Sequence, residues 1–391
     1  RFYSFKTGDA VQPDRAGTAA AMTYRPDKGT SLTTETGRVA GMTAVVLDGG
    51  CFEAPALALP TNAFTIALWI RPIGMGSKTG NSGSVNGMIA SSGSGYNDGW
   101  RLAVYDWKTR QPTLDIGKEK GAFSVRANDA LSAGFWNHLA ATWDGTRVRL
   151  YVNGMLSAEK AYDGAMAPPK AALKVGFSGY GVGSLKMGID ELAVLDRALP
   201  SEEIAALSLV GVPLAGALKP RVHNLQEACT GRDQKPDFQA VLQALCSASD
   251  LPAVWKLWAE LSTARFTATA ETFVTLFENP AVPAHLRGQA MEFLVQASRK
   301  GAELPSRILV KLPEFMELDA DEQRQFALSL ADAYTREKNS DAATDVFKQL
   351  LTFGDAAPLD RAEVHQRYAQ TLRQAGRLEA AREQYALLMN E

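Results

Sequence analysis

The sequence predicts a multidomain β-plus-α chain, an antiparallel β-sandwich followed by an α-helical, repeat-like domain, and three observations carry that expectation. Residues 1 to about 200 are rich in glycine, threonine and aromatics and alternate at period two, the mark of strands with one buried face. Asp144-Gly145 and Asn153-Gly154 interrupt the alternation as tight-turn dipeptides that tolerate positive φ. From Val222 onward alanine, leucine, glutamine and glutamate recur at helical spacing, broken at Pro236, Pro252, Pro280, Pro283, Pro305 and Pro313.

Taken in order, the segment 64–70 places Phe64, Ile66, Leu68 and Ile70 on one strand face. Residues 136 to about 160 read as a three-stranded meander. Leu139, Ala141 and Trp143 alternate with smaller partners, and Val148, Leu150 and Val152 alternate with Arg147, Arg149 and Tyr151. Several short strands separated by turns favour a sandwich over a helix-covered parallel sheet. Beyond Leu199-Pro200, Ser201 can cap a helix whose first turn carries Glu202 and Glu203. Gly211 to Pro220 reads as a linker, so the expected domains are 1–210 and 221–391 with 211–220 between them. The last 70 residues repeat: Leu330-Ala331, Tyr334, Ala342-Ala343, Phe347 and Leu350 recur 38 residues later as Tyr368-Ala369, Leu372, Ala380-Ala381, Tyr385 and Leu388. Small residues let paired helices approach, and the aromatic fills the space between units.

Bulk properties narrow the function classes. With 391 residues, 46% hydrophobic and 21% charged, the chain can bury a core in each half. Before residue 211 there are 21 basic and 19 acidic side chains, and after it 20 and 24, so neither half reads as a nucleic-acid binder. No apolar run approaches the roughly 18 to 20 residues of a spanning helix, and the chain as written is expected to be soluble. Its start at Arg1 suggests processing or trimming. Cys51, Cys229 and Cys246 are too few for a disulfide scaffold. Cys229 and Cys246 could pair. If residues 231–236 turn a helical hairpin, however, Cys246 lies roughly 15 Å beyond that turn, and buried unpaired thiols are the expectation.

The stretch Trp136-Asn137-His138-Leu139-Ala140-Ala141-Thr142-Trp143-Asp144-Gly145, continued by Val148 to Gly154, resembles the hairpin of laminin-G-like jellyroll domains of the concanavalin-A-like lectin/glucanase superfamily. Phe64 to Ile70, Gly188-Ile189-Asp190-Glu191-Leu192 and Arg197 to Ile204 are similar to further pieces of that family in the same order. The repeat at the end of the chain resembles the tetratricopeptide family, with Gly376 at the inter-helix turn and Lys338 at the equivalent place one unit earlier. The first resemblance implies an extracellular or cell-surface module that binds glycans or proteins, often with a structural or ligand-bridging calcium, and the expectation is a secreted, periplasmic or surface-displayed bacterial protein that recognises a carbohydrate or glycoprotein. The second implies a protein partner. A fold shared by lectins, adhesion modules and glycosidases does not name the ligand, so function must be argued from the site.

Glycan binding needs exposed aromatic faces flanked by amide or carboxylate groups. The glycine-rich loop 92–100 offers Tyr96, Asn97, Asp98 and Trp100, and a second glycine-rich loop, 177–185, contains Tyr180. The alternative is that Trp100 begins a strand and is buried. For calcium, the resemblance points to Asp14 and Asp190, although no compact Asp-x-Asp-x-Asp-Gly loop is present. A glycosidase of this fold carries alternating acids on one strand, whereas Asp190 to Asp196 is interrupted by apolar residues, so catalysis is not expected. His138, His223, His285 and His365 are scattered without zinc spacing, and no phosphate-binding glycine loop appears. Trp255 and Trp258 share one side of a helix, where burial is the expectation and exposure would mark a contact surface.

Overall fold

The computed structural model describes residues 1–389 apart from 7, 18–20, 28, 39–41, 58, 60–61, 77–86, 177–182, 210–215, 231–239, 241–242, 246, 248–250, 268, 315–319 and 353–357. Two compact units emerge, one formed by residues 1–268 and 275–292, the other by 269–274 and 293–391.

The first unit holds the strands β1 (Phe2–Tyr3), β2 (Val11–Gln12), β3 (Met22–Arg25), β4 (Thr33–Thr36), β5 (Thr43–Leu47), β6 (Cys51–Ala54), β7 (Phe64–Met75), β8 (Gly87–Ser92), β9 (Trp100–Val104), β10 (Pro112–Gly117), β11 (Ala122–Arg126), β12 (Asn137–Trp143), β13 (Arg147–Val152), β14 (Met155–Ala161), β15 (Leu173–Gly176) and β16 (Gly183–Leu195). One sheet runs β14-β13-β12-β7-β16, with β1 and β5 also on β16 and β4 on β5; the other runs β2-β3-β6-β15-β8-β9-β10-β11. Pairing is antiparallel except where Gly183 and Ser184 of β16 run parallel to β8 and join the sheets. The expected meander is β12-β13-β14.

Alternation builds the sandwich core. Phe64, Ile66, Leu68 and Ile70 of β7 meet Trp100, Leu102 and Val104 of β9 with Leu114, Ile116 and Val125 in one buried cluster. The opposite face of the β7 sheet is buried as well, with Ala67, Ala140, Tyr151, Leu156, Leu199 and Ile204 forming a second cluster. That face is covered by helices of the same unit: α1 (Ser201–Ser208), α2 (Lys219–Thr230), α3 (Ala253–Thr267) and, beyond α4 (Ala270–Glu278), the 284–292 portion of α5 (Ala284–Arg299).

Side chains from those helices complete the hydrogen bonding of a sandwich turn. Asn153, at φ 52°, and Gly154 turn the chain between β13 and β14. Their carbonyls accept from Trp258 Nε1 at 3.1 Å and from Gln226 Nε2 at 2.7 Å, so two buried acceptors are satisfied. Trp255 and Trp258 are both fully buried, as their spacing suggests. On α5, a β-carbon at Gly288 would overlap Phe135, so only glycine permits this approach. The first unit therefore continues past residues 211–220, and the change of composition there is not a boundary of packing.

The second unit contains α6 (Ser306–Leu309), α7 (Ala320–Arg336), α8 (Ser340–Thr352), α9 (Pro358–Gln374) and α10 (Leu378–Leu388). Phe347 stacks on Tyr368 at 5.4 Å inside a cluster that includes Leu328, Ala331, Ala343 and Ala381. The 38-residue repeat is also a repeat of backbone. Lys338 at φ 60° and Gly376 at φ 75° occupy the same turn position, and the N–H groups of Asn339 and Arg377 bond the carbonyls of Tyr334 and Leu372, each at 2.9 Å. That six-residue closure ends α7 and α9 alike. A lysine in this conformation costs about 1 kcal/mol relative to glycine.

Cys51 is a buried free thiol, Cys229 is buried with its Sγ 3.8 Å from the Ser262 carbonyl oxygen, and Cys246 lies outside the described residues. Burial raises the Cys51 thiol pKa above its ordinary value.

Candidate functional site

The same alternation that fills the core writes a polar ladder on the other side of β9, β10 and β11. With Trp100, Leu102 and Val104 turned inward, Arg101 faces outward, followed by Tyr105 just past the strand end. Register sets Arg101 opposite Asp115, Asp115 opposite Ser124, and Thr113 opposite Arg126. These side chains, with Tyr96, Ala122 and Lys160, line a cleft of about 370 Å³. That lies within the roughly 300–1,000 Å³ usual for ligand sites.

The ladder is held by one carboxylate. Asp115 accepts from Arg101 Nη2 at 2.8 Å and Nε at 3.1 Å, from Ser124 Oγ at 2.5 Å, and from the Tyr105 hydroxyl. Arg101 lies over the Tyr105 ring, 5.3 Å from its centroid. Burial, reinforced by the Asp115 charge, raises the Tyr105 phenol pKa above its ordinary value, so it remains a donor. With these bonds made, Asp115 fixes the ladder and neutralises Arg101. Lys160, reaching in from β14, donates to the Ser124 carbonyl at 3.0 Å.

Tyr96 stands at the cleft margin, 57% exposed. Its loop is braced from within: Ser94 Oγ accepts from the N–H groups of Tyr96 at 3.2 Å and Asn97 at 3.0 Å, and itself donates to Asp98 at 2.6 Å. Asn97 Oδ1 accepts from Gly121 N at 3.3 Å, tying the loop to the turn between β10 and β11. Asp98 is buried and also accepts from Lys170 N at 2.7 Å. Burial pushes its pKa up, but the hydrogen bonds from Ser94 and Lys170 prevail and hold it below the usual carboxylate range. Trp100 requires a correction, because strand alternation sends it into the sandwich core with no exposure, and it cannot serve as a ligand platform. Tyr180 lies outside the described residues. Of the loop residues singled out in the sequence, Tyr96 lines the cleft, Asn97 braces its margin and Asp98 stiffens the loop.

The two acids expected to hold calcium each have a described partner. Asp14 Oδ1 accepts from Phe2 N and Ala16 N, each at 3.0 Å, and secures the first strand. Asp190 lies 3.3 Å from Arg38 beside the bulge at Glu191. Burial raises its pKa to about 6 against the opposing pull of Arg38. Among the described residues no three His, Cys, Asp or Glu side chains gather as a metal-ligand group.

A larger cavity, about 610 Å³, lies beside α1 and α2 and is lined by Asp144, Arg149, Ser201, Glu202, Lys219 and His223 among others. Ser201 Oγ and His223 Nδ1 are 3.2 Å apart there. Its tyrosine, Tyr151, is buried at 1% exposure, and the exposed ring among its described lining residues is the His223 imidazole. No described helix is long and apolar enough to cross a membrane.

A stretch of 113 residues is 31% identical to pappalysin-1 of Mus musculus, covering 27% of this chain and 7% of that protein, so the chain spans a small fraction of this relative's length. Domain 4 of AbnA, a GH43 extracellular arabinanase from Geobacillus stearothermophilus solved in complex with arabinotriose, aligns with a TM-score of 0.41 and 18% identity over 53% of this chain and 96% of that one. The binding domain of Paraclostridial Mosquitocidal Protein 1 aligns with a TM-score of 0.41 and 14% identity, over 54% and 51% of the two chains. Residues 48–205, the greater part of the β-sandwich, match the family model of the concanavalin A-like lectin/glucanases superfamily.

Proposed function

We propose that this chain is a non-catalytic, extracytoplasmic binding protein whose sandwich recognises a carbohydrate or glycoprotein in the β9–β11 cleft. The second unit, with its two tetratricopeptide-like hairpins, docks a protein partner. The observation that carries the reading is the pairing of an exposed ring, Tyr96, with a ladder of polar groups already fixed in place. A sugar ring has an apolar C–H face and a polar rim, and such a site meets both at small cost in ordering. The superfamily match over residues 48–205 supports this reading of the sandwich.

The chemistry of the cleft favours binding over hydrolysis. Glycoside cleavage needs two carboxyl groups about 5 to 9.5 Å apart. Among the described lining residues Asp115 is the single carboxylate, and its donors hold it in the ladder.

A glycan array probed with the intact chain and with Tyr96→Ala tests this reading. Binding by the parent should fall at least about tenfold in the variant, equivalent to roughly 1.4 kcal/mol. Silence across a broad array, from a chain shown to be folded, would favour a scaffold that makes only protein contacts.

A further inference from the structure

We infer that the β9–β11 cleft takes an anionic saccharide, one bearing a carboxylate or sulfate group; this rests on the reading of the cleft as a carbohydrate site. Arg101 is matched by Asp115 at 2.8 Å. Arg126 and Lys160 remain, and neither has a carboxylate partner among the described residues, although both line the cleft. Glu159, the acid next to Lys160, is taken up on its own strand pair by Arg147 and by Arg149 Nε at 2.6 Å. The turn between β10 and β11, bonded to Asn97 beside Tyr96, adds Lys118 and Lys120 against one acid, Glu119.

A neutral sugar would leave the two lining cations solvated and unused. An anionic substituent placed between Arg126 and Lys160, with its ring over Tyr96, would receive charge-assisted hydrogen bonds. Carboxylate and sulfate share this chemistry, and Arg126 can grip either with two N–H groups. The near-neutral charge of the sandwich as a whole, 21 basic to 19 acidic side chains before residue 211, confines the attraction to this locality and argues against a long polyanion held by diffuse charge.

The test is calorimetric titration of the intact chain with uronate-containing, sialylated and sulfated oligosaccharides, each beside its carboxyl-reduced or desulfated counterpart. At least one anionic member should bind ten- to a hundredfold more tightly than its neutral partner and weaken as salt is raised. The Arg126→Ala/Lys160→Ala variant should erase that preference without lowering the unfolding midpoint, and which members bind decides between carboxylate and sulfate. Equal affinity for a neutral counterpart, still abolished by Tyr96→Ala, would overturn the anionic inference and leave the carbohydrate reading standing. Binding untouched by either variant, or no binding by any member, would overturn both.

Discussion

Glu292→Ala is expected to lower the stability of the first unit by about 3 to 5 kcal/mol, because it strands a buried guanidinium. Arg110, between β9 and β10, is 3% exposed and donates Nη2 to both carboxylate oxygens of Glu292, at 2.8 and 3.0 Å, while its Nε bonds the Leu131 carbonyl at 3.0 Å. Glu292 lies on α5, 182 positions along the chain, so this pair ties sandwich to helix within one folding unit. All seven tryptophans fall within residues 1–268, so tryptophan fluorescence during urea unfolding reports on this unit alone. A loss below about 1 kcal/mol would mean the pair behaves like a solvated surface bridge.

Acidification from pH 7.5 to 5 should cost the same unit about 2 to 3 kcal/mol. His138 on β12 and His285 on α5 lie against the Trp69 ring, with centroids 5.2 and 5.0 Å away, and Arg38 sits 4.9 Å from that ring. Burial lowers both imidazole pKa values to about 3, helped by Arg38 and, for His138, by His285. The ordinary value is about 6.5, so between pH 6.5 and 3 the unfolded chain takes up protons that the folded chain refuses, and stability falls with pH. Asp190, raised to about 6, acts in the opposite sense, because between about pH 6 and 3.8 the folded state holds the extra proton. At pH 5 the two histidines cost about 2 kcal/mol each and Asp190 returns about 1 kcal/mol, at roughly 1.4 kcal/mol per pKa unit. Urea midpoints at the two pH values measure the difference, and His285→Gln should reduce it. A midpoint independent of pH would show that these imidazoles are solvated.

Much of the fold could be read from residue spacing, and the reasons for the exceptions are physical. The period of two placed Phe64, Ile66, Leu68 and Ile70 in the core, and the turn dipeptides delimited the β12-β13-β14 meander. Burial of the other face, at Ala67, Trp69 and Tyr151, depends on helices more than fifty residues away in sequence, which strand alternation does not reveal. Composition marked a linker at 211–220 because helices and strands differ in composition, whereas packing is set by contacts such as Trp258 to Asn153. At the site, a glycine-rich loop drew notice to Tyr96 and Trp100 together, although Trp100-Arg101-Leu102-Ala103-Val104 already alternates with tryptophan on the apolar side. Arg101, Asp115, Ser124 and Arg126 come from three strands, and their convergence follows from register that no single-strand pattern contains. Lys160 arrives from β14 of the other sheet.

The proposed ligand site is the outward face of β9–β11. Hydrogen–deuterium exchange of the intact chain, with and without its strongest-binding saccharide, locates the contact directly. Slowed exchange in residues 94–99 and 118–126 is the predicted result, since the Tyr96 loop and the β10–β11 turn border the cleft. Protection confined to residues 198–227, around the larger cavity beside α1 and α2, or to the helices of residues 320–389, would contradict it.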